Sequence, residues 1–251
     1  MKTPRSYRFP VLPARSLAPN VLTVLALCAG MSAIRFAMEG RWEASVAAIL
    51  VAGIFDGLDG RVARLLKGAT KFGAELDSLS DVVSFGVAPA LVLYMWTLET
   101  IGGMGWVMAL IFIICSALRL ARFNTAIDGD HERKPGSDYF VGVPMPAAAA
   151  LALWPLILSF EIDAEFLRSP VLCAVHLALI SFLTISSIPT FSFKRIGVRR
   201  EYVLPALLGI TLLAALLVSY LWWVMSLFGV IYLLLIPVSV KRARKTQQSS
   251  D

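Results

Sequence analysis

Four aspartates lie close together in a stretch of the chain that is flanked on both sides by long apolar segments. They are Asp56, Asp59, Asp77 and Asp81. The first two are spaced i, i+3 and the last two i, i+4, so each pair shares one face if it lies on a helix. Four uncompensated carboxylates inside a membrane would cost on the order of 10 kcal/mol. This stretch must therefore lie near a membrane interface or hold something positive.

The neighbouring basic side chains do not supply that charge in an obvious way. They flank the helix ends rather than alternate with the aspartates: Arg61, Arg64, Lys67 and Lys71. A bound divalent cation is the simplest compensation, and carboxylate oxygens without cysteine or histidine suit Mg²⁺ or Mn²⁺. The alternative is an ordinary polar loop between two membrane helices. The pairing of the acids on helical faces, with glycines between them, favours the metal site.

The composition indicates a membrane protein. Of the 251 residues, 58% are hydrophobic and 16% are charged, whereas ordinary soluble domains are about 25% charged. Cys28, Cys115 and Cys173 all fall in apolar runs without the spacing of a disulfide framework or a zinc site. No room is left for a second sizeable soluble domain.

The apolar runs predict an all-α polytopic membrane protein with about eight transmembrane helices. The predicted spans are Leu17–Met38, Trp42–Leu65, Phe72–Thr97, Gly105–Phe123, Pro144–Phe160, Pro170–Ile188, Tyr202–Tyr220 and Leu221–Val240. The second predicted span ends with the first pair of aspartates, and the third begins with the second pair. The last two spans are expected to form a tight hairpin at an aromatic turn.

The distribution of basic residues predicts the orientation in the membrane. Twenty of the 23 lysines and arginines fall in five segments, which are residues 1–16, 61–71, 119–134, 194–200 and 241–245. Positive residues accumulate on the cytoplasmic side of membrane proteins, so both termini and the opening of the aspartate cluster are predicted to face the cytoplasm. The net charge of +6 then reflects topology and contact with anionic lipid rather than nucleic-acid binding.

The aspartates also belong to a longer pattern of fixed residues and fixed gaps. It reads Asp56-x2-Asp59-Gly60-x2-Ala63-Arg64-x8-Gly73-x3-Asp77-x3-Asp81. At every fixed position the pattern resembles the signature of the CDP-alcohol phosphotransferases. The resemblance implies a six-helix catalytic core. It also implies that the four aspartates hold two divalent ions over the diphosphate of a CDP-linked lipid, with Asp81 as general base.

The same resemblance divides the chain and identifies residues that contact the donor. The division is a basic cytoplasmic N-terminus at 1–16, a catalytic membrane domain at 17–200, a transmembrane hairpin at 201–240 and a basic tail at 241–251. The residues expected to contact the CDP-lipid are Asn20, Gly60, Ala63, Arg64 and Gly73. For Asn20 a second interpretation stays open, because Pro19 and Asn20 could simply begin the first helix.

A further polar group lies at the predicted cytoplasmic end of the fourth helix. Arg119 and Arg122 are one helical turn apart, and Asn124 follows them. Arginines at such a position are often anchors that extend to the membrane surface. A pair of guanidinium groups on one face could instead bind a carboxylate or phosphate bidentately. We therefore expect these three residues to bind the acceptor or a phosphate.

Several segments resemble one bacterial branch of the family, the phosphatidylserine synthases. They are residues 84–90, 119–124, 142–146 and 189–194. The resemblance implies a homodimer in the cell membrane that transfers the phosphatidyl group of CDP-diacylglycerol to the hydroxyl of L-serine and releases CMP. One alternative is a sibling transferase that uses glycerol 3-phosphate, inositol phosphate or another alcohol. The other is an ion-coupled transporter, in which acidic residues inside the membrane are also common.

Overall fold

The structure is a computed structural model that describes residues 14–66, 68, 70–128, 139–141, 143–186, 189–191 and 203–248. Three predicted features lie outside these residues. They are the basic N-terminus up to residue 13, the part of the basic segment 119–134 that begins at residue 129, and the basic segment 194–200.

Helices account for nearly all of the described chain. The α-helices are α1 (Ala14–Met38), α2 (Trp42–Leu65), α3 (Lys71–Asp81), α4 (Ala88–Trp96), α5 (Gly103–Asp128), α6 (Met145–Ala152), α7 (Trp154–Ser159), α8 (Pro170–Ile185), α9 (Val203–Ser219) and α10 (Leu221–Gln248). A π-helical segment, Val82–Val87, joins α3 to α4, and short 3₁₀ helices lie at Leu98–Ile101 and Glu165–Arg168. Two short strands, β1 (Tyr139–Val141) and β2 (Pro189–Phe191), pair antiparallel.

The first two helices pack closely because the side chains between their backbones are small. Ala33 and Ala52 are fully buried, and the Ser45 hydroxyl donates a hydrogen bond to the Ala33 carbonyl at 2.8 Å. Gly40 lies in the turn between the helices with φ +71°, a left-handed conformation that glycine adopts at little cost. This hairpin places the end of α2, with its two aspartates, beside the start of α1.

The third predicted span is one helix with a wider turn in its middle. Asp81 ends α3, and the π-helical segment follows directly. Within that segment the buried Ser84 donates a hydrogen bond to the Ala26 carbonyl of α1 at 3.2 Å. Gly30 lies so close to Ser84 that a Cβ at Gly30 would come within 2.7 Å of the Ser84 Cα. The third span is therefore held tightly against α1 just beyond the aspartates.

Several predicted boundaries were wrong, and proline explains the largest difference. The single helix predicted for Pro144–Phe160 is two short helices, α6 and α7. Pro155 has no N–H to donate and its ring displaces the preceding turn, so the helix breaks at Leu153. Helix α8, predicted to extend to Ile188, ends at Ile185. Helix α10, predicted to end at Val240, continues to Gln248. The sequence pattern did not predict the two strands.

The C-terminal helix α10 packs on α7. The Trp154 indole donates a hydrogen bond to the Ser226 carbonyl at 3.0 Å, and the Phe160 and Trp222 rings meet edge to face at 4.8 Å. Gly229 faces the Trp154 ring with no space for a Cβ. Helices α9 and α10 meet at a bend of 118°, so the expected tight hairpin is an open corner.

The chain is an all-α polytopic membrane protein. Within the described residues, three helical stretches are long and apolar enough to cross a membrane: Leu17–Met38, Lys71–Trp96 and Gly103–Thr125. The bent pair α9–α10 adds a fourth if it is one span, and α8 is apolar but shorter. Large apolar side chains are exposed on the outside, among them Val175, Phe182, Leu208 and Val218, as expected for contact with lipid. The count of eight spans and the orientation stay predictions.

Candidate active site

The four aspartates of the signature come together between α2 and α3. One carboxylate oxygen from each of Asp56, Asp59 and Asp77 lies within 4.8 Å of the other two. Two oxygen ligands on opposite sides of Mg²⁺ are about 4.2 Å apart, so three oxygens at this separation can surround a cation with small adjustments. The donor set consists of carboxylates only, which suits a hard divalent ion. The residues present therefore fit a metal.

Asp81 lies beside this triad and completes the cluster. Its carboxyl group is within hydrogen-bonding distance of the Asp56 carboxyl group. Two carboxylates in such contact repel each other unless they share a proton or a cation. Asp81 also interacts electrostatically with Arg119 of α5. The cluster thus has three oxygens poised for one ion and a fourth carboxylate at its edge.

The charge of the cluster is not neutralised by ion pairs within the described part of the chain. The ion pairs found there, with nitrogen and oxygen within 4.0 Å, join Glu39 to Arg35 and Arg41. These lie at the other end of α1 from the aspartates. Four carboxylates close together without such partners favour occupation by a cation.

A cavity of about 170 Å³ opens beside Asp59 and Asp77. Four of the five residues predicted to contact the CDP-lipid line it: Asn20, Gly60, Ala63 and Gly73. A Cβ at Gly73 would lie 2.9 Å from Asn20 Oδ1, whereas a Cβ at Gly60 would meet nothing within 4 Å. Gly73 therefore permits close contact with α1, and Gly60 leaves space open at the cavity.

The fifth predicted donor residue, Arg64, lies outside the cavity lining. Its side chain is exposed, and its Nε donates a hydrogen bond to the Gly60 carbonyl at 3.0 Å. Its link to the cavity is therefore indirect, through the backbone of Gly60.

The three residues predicted to bind the acceptor each interact with a different group. Arg119 interacts with Asp81, and its buried Nε has no hydrogen-bond partner among the described residues. The exposed Arg122 donates through Nη2 to the Ser186 carbonyl at 3.4 Å. Asn124 donates through Nδ2 to the Ser78 hydroxyl at 2.9 Å. Arg119 interacts electrostatically with Asp81, and Asn124 contacts the residue that follows Asp77, while the role of the three residues in acceptor binding stays a prediction.

Sequence reasoning assigned no role to a residue that contacts the cluster. The Thr23 hydroxyl of α1 lies 2.6 Å from Asp59 Oδ2. The two residues are 36 positions apart, so no local pattern could connect them. The one available signal was the position of Thr23 one turn after Asn20 on the same helix.

Comparison with known proteins decides the family. The family model described as CDP-alcohol phosphatidyltransferase matches residues 16–185. The chain belongs to this family. A second model, described as CDP-alcohol phosphatidyltransferase 2, matches residues 201–237. The CDP-alcohol phosphatidyltransferase relationship thus extends into the C-terminal helices, where the sequence pattern alone indicates only apolar spans.

Three similar proteins carry the same, more specific name. The chain is 40% identical over 231 residues to a CDP-diacylglycerol--serine O-phosphatidyltransferase of Mycobacterium leprae, covering 91% of this chain and 76% of that protein. It is 39% identical over 238 residues to the protein of the same name from Mycobacterium tuberculosis, covering 94% and 82%. The Helicobacter pylori protein of that name is 36% identical over 180 residues, covering 72% and 74%.

Proposed function

We propose that the chain transfers the phosphatidyl group of CDP-diacylglycerol to the hydroxyl of L-serine and releases CMP. The observation that carries the proposal is the meeting of Asp56, Asp59 and Asp77 oxygens within 4.8 Å beside a cavity. The choice of serine as acceptor is supported by the names of the mycobacterial and Helicobacter relatives.

In this proposal the donor headgroup occupies the cavity beside the aspartates. Gly60 and Ala63 offer a surface without bulky side chains, and Gly73 lets α3 approach Asn20. Asn20 is half-buried at the cavity wall, where its amide can donate to and accept from a cytosine or ribose. The lipid tails of the donor stay in the membrane, because the aspartates lie at the end of a long apolar helix.

Asp56, Asp59 and Asp77 would hold divalent cations, with Asp81 sharing in their binding. We propose two ions, Mg²⁺ or Mn²⁺. When bound, such ions neutralise the diphosphate of the donor and stabilise the charge that develops on the departing CMP oxygen. The protein contributes by fixing its carboxylates on two packed helices, so that little reorganisation is needed when the donor arrives.

Asp81 is the proposed general base. Its carboxylate takes the proton from the serine hydroxyl, the serine oxygen bonds to the phosphorus of the phosphatidyl group, and the bond from that phosphorus to the CMP oxygen breaks. An aspartate is a weak base for an alcohol, so positioning of the acceptor must supply much of the rate enhancement. Arg119, which interacts electrostatically with Asp81 and whose buried Nε has no hydrogen-bond partner among the described residues, is the proposed partner of the serine carboxylate.

We further propose that the site faces the cytoplasm from the inner membrane, with both chain termini on that side. The asymmetry of lysine and arginine along the sequence supports this orientation. Serine is water-soluble and CDP-diacylglycerol is not, so a site at the membrane surface serves both substrates. A homodimer is proposed by analogy with the family.

The test is CMP release from CDP-diacylglycerol by purified protein with serine, glycerol 3-phosphate or inositol phosphate, each with and without EDTA. We expect release that depends on serine, stops with EDTA and is lost in Asp81→Asn. Asp163→Asn is the matched control, because Asp163 is an exposed aspartate between α7 and α8. Release with another acceptor instead of serine would refute the substrate but not the metal mechanism. Absence of release with every acceptor would refute the reaction.

A further inference from the structure

One buried threonine touches the aspartate cluster without belonging to the signature. Thr23 is 3% exposed and Asp59 is 5% exposed, and the Thr23 hydroxyl lies 2.6 Å from Asp59 Oδ2. Hydrogen bonds from a hydroxyl to a carboxylate are about 2.5–2.7 Å long and are among the strong ones in proteins. The contact is therefore a charge-assisted hydrogen bond to a residue of the carboxylate triad.

The Thr23 hydroxyl has a second possible acceptor in its own helix. The Pro19 carbonyl lies 3.1 Å away, and a hydroxyl has only one proton to donate. The shorter distance and the negative charge both favour Asp59. An ionised carboxylate cannot donate, so the threonine must be the donor in this pair.

The backbone of the same residue reaches the other half of the cluster. The Thr23 carbonyl accepts a hydrogen bond from the Ser80 hydroxyl at 3.2 Å. Ser80 is 2% exposed and immediately precedes Asp81. Thr23 thus connects α1 to α2 through its hydroxyl and to α3 through its carbonyl, at the level where the aspartates of both helices meet.

We propose that Thr23 is a positioning residue for the metal site, which fixes the Asp59 carboxylate in the orientation that binds a cation. This inference rests on the proposed metal-dependent transfer. The hydroxyl engages one lone pair of Oδ2 and leaves Oδ1 and the remaining lone pairs for the ion. Removing the hydroxyl leaves a buried carboxylate oxygen without its donor and the carboxylate free to turn away from Asp56 and Asp77.

The experiment measures Mn²⁺ binding to the purified protein in detergent, without substrate, from the electron paramagnetic resonance signal of free Mn²⁺. Hydrogen-bond partners of metal ligands are typically worth about 10–100-fold in metal affinity. We expect Thr23→Val, which replaces the hydroxyl by a methyl group, to bind Mn²⁺ about 10–100-fold more weakly. Thr23→Ser, which keeps the hydroxyl, should bind nearly as the unaltered protein does.

A matched control separates this role from a general loss of packing. Thr184 of α8 is also fully buried, and its hydroxyl donates only to the Ile180 carbonyl of its own helix at 2.7 Å. Thr184→Val should leave Mn²⁺ affinity unchanged. If Thr23→Val does not fold, the pair Thr23→Ser and Thr23→Ala gives the same comparison, because the two variants differ only in the hydroxyl.

Kinetics give a second readout. Loss of positioning should raise the Mn²⁺ concentration needed for half-maximal CMP release, while kcat at saturating Mn²⁺ falls much less. Equal Mn²⁺ affinity of Thr23→Val and the unaltered protein would overturn the inference while leaving the proposed function intact. Absence of Mn²⁺ binding by the unaltered protein would overturn the proposed metal site, and the inference with it.

Discussion

Replacing Gly73 by alanine should weaken donor binding while leaving the fold as stable as before or more so. A Cβ at this position would lie 2.9 Å from Asn20 Oδ1 and 3.2 Å from Thr70 Oγ1. Ordinary contacts begin near 3.5 Å, so the Asn20 amide must move by roughly half an ångström. Because Oδ1 is the end of a rotatable side chain, Asn20 can turn rather than force the helices apart.

The substitution should maintain or raise the stability of the protein but weaken its binding of the donor. Alanine in a helix is more favourable than glycine by about 0.5–1 kcal/mol, so the melting temperature should stay constant or rise. Asn20 lines the cavity, so its displacement shifts a group of the cavity wall, and misplacement of a positioning group by about 1 Å can cost up to roughly 100-fold in rate. For half that shift we expect kcat/KM for CDP-diacylglycerol to fall by about tenfold, mainly through KM.

The assay is CMP release over a range of CDP-diacylglycerol concentrations, with a thermal melt of the same preparation. Gly209→Ala is the matched control, since Gly209 is an exposed helical glycine of α9 where an added Cβ would meet nothing within 4 Å. It should gain stability without a change in KM. The reasoning is refuted if Gly73→Ala has the same KM as this control, or if its melting temperature falls, which would mean that the Thr70 cap of α3 or the helix packing gives way and not Asn20 alone.

Two other substitutions test the acceptor site and the packing behind the cluster. Arg119→Lys keeps the charge but loses the planar fork, so KM for serine should rise by roughly 10- to 100-fold, the equivalent of about 1.4–2.7 kcal/mol; Arg35→Lys, at a residue that is paired with Glu39 at the other end of α1 from the aspartates, should leave it unchanged, and equal effects would contradict the assignment. Gly30→Ala places a Cβ within 2.7 Å of the Ser84 Cα, and since backbone cannot swing away it should destabilise the protein by about 1–3 kcal/mol. Gly53→Ala, where the nearest side-chain atom is 3.8 Å away, is its control, and melts of both in detergent decide the matter.

The features that could be predicted from the sequence are those fixed by local spacing. The pairing of Asp56 with Asp59 and of Asp77 with Asp81 follows from helical periodicity, and the structure brings all four together. The extent of α2 matches the prediction at both ends, because its apolar run lies between the charged residues Arg41 and Lys67. The break at Pro155 was also readable in principle, since proline inside a helix removes a hydrogen bond.

The features that could not be predicted depend on how helices rotate against one another. Arg119 and Arg122 have the spacing of a shared face, but spacing alone could not predict that Arg119 interacts electrostatically with Asp81 or that Arg122 donates to the Ser186 carbonyl after α8. The contact of Thr23 with Asp59 joins residues of different helices. Spacing along one helix states which residues share a side, and only packing decides what that side faces.

The π-helical segment after Asp81 changes how α4 is rotated about the helix axis relative to α3. A turn with an i→i+5 hydrogen bond holds one more residue than an α-turn, and one residue corresponds to about 100° around the axis. The apolar helix α4 can therefore face the core, where Val92 and Leu93 are fully buried, while Asp77 and Asp81 face α1 and α2. Insertions or deletions of one residue within 82–87 would swing one half relative to the other. The segment thus lets the buried face of α4 and the carboxylate face of α3 point in different directions around one helix axis.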